Sequence, residues 1–130
     1  MTRFRKLCSD QSGSAAIEFI VAVPVLVSML WGIFQFAVLL QANAGMQHAL
    51  GEAARYATVY PTPSDTQIQA KITSSKFGVG SGTWDTPVIT TDSTTQTKTL
   101  TVTYHQPLDF LFLPGPTVDL TANKVVYLAT

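Results

Sequence analysis

No charged side chain occurs between Phe19 and Leu40. Ser28 and Gln35 are its main polar interruptions, and Pro24 and Gly32 its backbone irregularities. A bilayer core takes about 20 mostly apolar residues in helix, so the run is long enough to span one. Backbone groups in lipid must be satisfied within their own segment, which selects a helix. The rest of the 130 residues is too small and too polar to bury such a helix inside a soluble domain.

Other things are scarce, and each scarcity excludes something. Cys8 is the only cysteine, so no intrachain disulfide forms and any folded domain is held by packing alone. Only His48 and His105 represent histidine, each isolated from cysteines and carboxylate clusters, and both read as structural or surface residues. Carboxylates are scattered singly, without the spacing of metal ligands or of an acid–base pair. No nucleophile elbow accompanies the abundant serines and threonines. Gly78-Val79-Gly80-Ser81-Gly82 lacks the Gly-Lys-Ser/Thr ending of a phosphate loop and follows no strand, so it reads as a linker. The expectation is a protein with no catalytic residues, no metal and no cofactor. No basic patch survives outside the N-terminus, so nucleic acid is not an expected partner.

The charges that are present are unevenly placed. Arg3, Arg5 and Lys6 precede the apolar run, against Asp10. After it, Arg55, Lys71, Lys76, Lys98 and Lys124 face Glu52, Asp65, Asp85, Asp92, Asp109 and Asp119. A short basic leader marks the cytoplasmic side, which predicts a single-pass protein with an exported C-terminal portion. A secretory signal peptide would have a shorter apolar core, of about 7–15 residues, and a clearer break than Ala42-Asn43-Ala44.

The predicted organisation is a leader over 1–13, a helix over 14–60 and an α+β head over 61–130. Helical character need not stop at Gln41. Ala42, Met46, Ala49, Leu50, Ala53 and Ala57 share one face at helical spacing, and Pro61 and Pro63 end the pattern. A helix over 14–59 would be about 70 Å long at 1.5 Å per residue. Pro24 should bend it. Ser28 and Gly32 form a small-xxx-small pair through which another helix can approach. Gly45 and Gly51 lower its propensity, so its upper half depends on packing.

Ser64 or Asp65 suits the cap of a short second helix with Ile68, Ile72 and Phe77 on its buried face. The last third predicts an antiparallel sheet of about three strands. Val88–Thr91 and Thr97–His105 flank a turn, with Leu100, Val102 and Tyr104 alternating with threonines. Val118, Leu120 and Ala122 alternate in the last strand, with a slip near Asn123-Lys124 that suggests a bulge. Between the last two strands, Pro107 to Pro116 reads as a proline-bounded loop. Its Phe110, Leu111, Phe112 and Leu113 either cap the core or form an exposed partner-contact patch.

Glu18 is the outlier, a carboxylate at the start of an apolar helix, where a charge is costly unless paired. The plain alternative places it at the headgroup level, stabilised by the helix N-terminus. Its surroundings are ordered: basic leader, Gly13, Ser14-Ala15-Ala16-Ile17, Glu18, Phe19, then Val23-Pro24. This order resembles the class III signal of type IV prepilins, and most closely that of TadE-like proteins, minor pseudopilins of the Tad/Flp pilus system. Phe19 stands where tyrosine is commoner in that family.

The resemblance implies that a prepilin peptidase cuts between Gly13 and Ser14, making Glu18 the fifth mature residue. It implies further partners in other pseudopilins, pilus-assembly membrane proteins and the lipid bilayer, a place in the bacterial inner membrane, and a role in pilus-mediated adhesion. Assembly would run through Glu18, Phe19, Pro24, Ser28 and Gly32. The alternative is an uncleaved single-pass anchor whose periplasmic head binds a ligand or protein through Phe110 to Leu113.

Overall fold

The apolar run and the amphipathic stretch after it form one unbroken helix. The structure, a computed structural model, describes residues 12–59, 61–78, 80–110 and 113–128, with only the backbone for Ser12, Ser14, Phe110 and Leu113. Helix α1 spans Ser12–Ala57 and passes through Pro24 without interruption. An 18-residue window of it is apolar enough to cross a membrane, and none of that window is buried within the chain. From Trp31 upward, the side of α1 that continues the line of Pro24 and Ser28 becomes progressively covered. Ala42, Met46, Ala49, Leu50, Ala53 and Ala57 are buried, the six positions the helical spacing selects.

After α1 the chain turns at Thr58–Val59, and helix α2 runs over Asp65–Ser74. Ser64 caps it: its hydroxyl accepts from the Gln67 amide, and the Gln67 side chain accepts from the Ser64 amide, a reciprocal capping box. Ile68 and Ile72 are buried against α1. Phe77 lies past the end of α2 and stays exposed, its ring edge-on to His48 at 5.3 Å, so it is not the third core residue of that helix.

The sheet is antiparallel and has four strands rather than about three: β1 (Thr83–Trp84), β2 (Val88–Asp92), β3 (Thr97–Phe110) and β4 (Leu113–Tyr127). Because β1 and β2 both pair with one edge of β3 at different heights, and β4 takes the other edge, the four strands occupy three lanes. Leu100, Val102, Tyr104 and Gln106 turn inward from β3, met by Ala122 and Val126 of β4. The opposite face carries Thr99, Thr101, Thr103 and His105 and is partly open to solvent.

Two expectations about β3 and β4 are corrected. The stretch from Pro107 to Pro116 is not a loop: β3 continues to Phe110 and β4 begins at Leu113, leaving a two-residue connection. Proline is tolerated here because β1 and β2 stop short of this end, so both strands are edges and a missing N–H costs no ladder bond. Nor is there a bulge at Asn123-Lys124, where Thr101 and Leu100 pair in regular register; the shift falls between Pro107 and Asp109. Lys124 imitates a slip because it occupies an inward-facing position opposite Leu100 while remaining exposed.

The core closes on two polar clusters with no counterpart in the sequence pattern. Tyr104 Oη donates to Gln106 Oε1 at 2.6 Å, and Gln106 Nε2 donates to Ser81 Oγ and to the Pro107 carbonyl. Gln106 is 1% exposed, so these bonds are what permits an amide in the core. Lys98, nearly buried on β3, donates to Asp65 in the first turn of α2 and ties that helix to the sheet. Gly78 and Gly82 are packed against α1 and β3 rather than lying in a free linker. Gly78 has φ +69°, and a Cβ there would sit 2.7 Å from the Gln41 carbonyl oxygen.

Candidate functional site

The proposed processing and assembly residues lie on the part of α1 that the head leaves bare. Ile17, Phe19, Ile20 and Val21 are each about two-thirds exposed, and the exposed apolar surface continues through Phe36. On a helix of 3.6 residues per turn, Glu18, Ala22, Val25, Met29 and Gly32 follow one another along one line. Glu18 is exposed at its lower end. Pro24 and Ser28 lie on a second line, about a quarter-turn away. Ser28 Oγ donates to the Pro24 carbonyl at 2.7 Å, which satisfies the hydroxyl inside its own helix. Beyond Gly32 there is open space, with no atom within 4 Å of where a Cβ would stand.

The sequence-selected residues are therefore brought together only in part. Gly32, about 40° from both Glu18 and Ser28, joins the Glu18 stripe to that of Pro24 and Ser28, while Phe19 sits about 100° around from Glu18 on the other side. The Gly13–Ser14 bond lies in the first turn of α1, with open space around Gly13. The leader up to residue 11 lies outside the described residues, as do Leu111 and Phe112 and the side chains of Phe110 and Leu113.

Sequence reasoning missed the contact that sets the lower limit of the head. Trp31 Nε1 and Gln35 Nε2 both donate to the Asp109 carbonyl, at 2.5 and 2.9 Å. Two polar groups of the apolar run thus find their acceptor at the end of the β3–β4 hairpin. The only local signal was Gln35 itself, an amide in a segment where polar groups need partners.

His105, which the sequence leaves as structural or surface, lies on the open sheet face and has specific partners. Its Nδ1 lies 2.6 Å from Asp119 Oδ1 and its Nε2 lies 3.0 Å from Asp85 Oδ2. Both partners are acceptors, so the doubly protonated imidazolium satisfies both bonds and the neutral ring only one. The bond to Asp119, then that to Asp85, raises the His105 pKa above its ordinary 6.5, with desolvation opposing. Since the folded pKa is the higher one, this clamp contributes fully below about pH 6.5 and is lost as pH rises through the raised value. We expect the His105 imidazole, followed by NMR, to titrate above 6.5, and Asp119→Asn to bring it down. An unchanged titration in Asp119→Asn would refute the clamp.

No group of three or more His, Cys, Asp or Glu side chains suited to a metal occurs among the described residues. The concavity along Ile17 to Met29 and the one between Ala54–Thr58 and Val125–Tyr127 are open to solvent. No curated protein and no solved structure matches the chain. Residues 13–55, which cover the bare part of α1 and most of its head-packing part, match the family model described as TadE-like protein.

Proposed function

We propose that the protein is a minor pseudopilin of a Tad/Flp pilus system, anchored in the bacterial inner membrane and acting through helix–helix packing. The observation that carries this reading is the division of α1. One face of its upper half is buried by the head, while its lower half presents an apolar surface with Glu18 as its one carboxylate. The TadE family match falls on this helix. The leader stays in the cytoplasm and the head faces the periplasm, as the basic residues before the run favour.

The mechanism follows from charge. A prepilin peptidase hydrolyses the Gly13–Ser14 amide, releasing the leader carboxylate and creating an α-amino group at Ser14. That ammonium and Glu18 are each expensive in an apolar environment when alone. When subunits pack side by side, the Glu18 carboxylate of one neutralises the Ser14 ammonium of its neighbour, and only one stagger pairs every charge. The Glu18–Gly32 stripe supplies the close-packing surface, with the small Ala22 and Gly32 admitting a neighbouring backbone.

Intact mass of the membrane-extracted protein tests the reading. Loss of residues 1–13 when an active prepilin peptidase is present, and full length when it is absent, is the expected result. Full-length protein in the presence of active peptidase would support the uncleaved anchor instead.

A further inference from the structure

The end of the β3–β4 hairpin lies beside the apolar run of α1. Tyr104 and Gln106 pack near Gly80 and Val38, and three residues further along β3 the Asp109 carbonyl meets Trp31 and Gln35. The hairpin therefore descends along α1 toward its N-terminus. A span of about 20 residues counted from Phe19, where the uncharged run begins, ends near Val38, so Trp31 and Gln35 lie within about two turns of its end. The Asp109 carbonyl is thus level with the span and not above it.

The composition of that end fits lipid rather than water. Between Pro107 and Pro116 the sequence is Leu-Asp-Phe-Leu-Phe-Leu-Pro-Gly, with Asp109 as its only charge. Both strands are edges here, and an edge in a low-dielectric medium is penalised for each unpaired N–H. Pro107, Pro114 and Pro116 have no N–H to leave unpaired. The Asp109 carbonyl, which would otherwise want water, accepts from Trp31 and Gln35. Asp109 itself is exposed, and a carboxylate limits the depth to the headgroup layer, where tryptophan is also at home.

We infer that the hairpin at Asp109 and Pro114 makes a second membrane contact, seated in the interfacial layer of the leaflet facing the head. It pins the head against the bilayer and fixes its orientation around α1, so that the head lies on the Trp31 side and leaves Glu18's side free. This inference rests on α1 spanning the bilayer but not on leader cleavage or on a role in a pilus.

Depth-dependent quenching tests it on the full chain in vesicles of phosphatidylethanolamine and phosphatidylglycerol. In a Cys8→Ser background, an environment-sensitive fluorophore is placed on Pro114→Cys, on Val25→Cys within the span, and on Thr94→Cys in the exposed turn before β3. Blue-shifted emission and loss of intensity with shallow nitroxide lipid are expected at Pro114 and absent at Thr94, with Val25 quenched by deep nitroxide lipid. Pro116→Cys gives a second reading if labelling at Pro114 disturbs the turn. Emission at both hairpin positions matching that at Thr94, with Val25 still quenched, overturns the hairpin contact and leaves the span intact. Quenching at none of the positions overturns the span and the hairpin contact together.

Discussion

Glu18→Ala subunits should be made, inserted and folded at wild-type levels and still fail to support piliation. Folding is spared because the head's hydrogen bonds to α1 begin at Trp31, far above Glu18, whose side chain is exposed. Assembly is not spared. Each packed neighbour would hold a Ser14 ammonium without its carboxylate, and breaking a buried ion pair by removing one partner costs about 3–5 kcal/mol. At 1.4 kcal/mol per tenfold, each subunit addition weakens by about two orders of magnitude or more. Glu18→Gln, which keeps shape and hydrogen bonding but no charge, should be similarly defective. The measurement is the amount of subunit in the sheared pilus fraction, set against its amount in the membrane. Normal piliation by Glu18→Ala would rule out the proposed pairing.

The second large effect is a contrast between two glycines of α1. Gly45→Ala should destabilise the protein by about 1–3 kcal/mol, the usual cost of forcing an atom into a packed site. A Cβ at Gly45 would stand 2.0 Å from the Phe77 carbonyl oxygen, which is backbone and cannot rotate away. The segment after α2 would have to lift from α1, disturbing Gly78 against Gln41 as well. Gly51→Ala should do the opposite. Its Cβ would meet nothing within 4 Å, so the gain in helix propensity, about 0.5–1 kcal/mol, is unopposed. Thermal unfolding of the full chain in detergent, followed by circular dichroism, should move down for the first variant and up for the second. Shifts of the same sign in both would show that the close approach at Phe77 does not constrain the fold.

These glycines show where sequence reasoning reached and where it stopped. Both weaken an isolated helix, and spacing along the chain does not distinguish them. The apolar side chains of the buried face of α1 were legible, because an alanine-rich stripe at 3.6-residue spacing between polar positions has one efficient way to pack; Gly45, buried among them, was not. Also legible was a cap for α2 at Ser64 or Asp65, of which the structure takes Ser64 through a local interaction over three residues. The strand cores Val88–Thr91 and Thr97–His105 were legible through period-2 alternation. The lower hairpin was not. Prolines at 107, 114 and 116 and the register shift near Leu108 break the alternation, and whether a proline is tolerated depends on the absence of a neighbouring strand. Gln106 and Lys98 were equally invisible, since a buried amide or ammonium is set by partners at Ser81 and Asp65, far along the chain.

By itself the sequence determined a membrane-length helix, its continuation into an amphipathic half, a capped second helix, an antiparallel sheet and the TadE-like order of Gly13, Glu18 and Phe19. Each of these is written in neighbours a few residues apart. Only the tertiary structure decided how far the head descends along α1 and which side of the helix it leaves free. That follows from one carbonyl, Asp109, accepting from Trp31 and Gln35 at sequence separations of 78 and 74. No periodicity encodes such a contact, because it depends on where a 14-residue strand ends once its upper part has docked. Glu18 was conspicuous in the sequence, and the fold leaves its side of α1 uncovered.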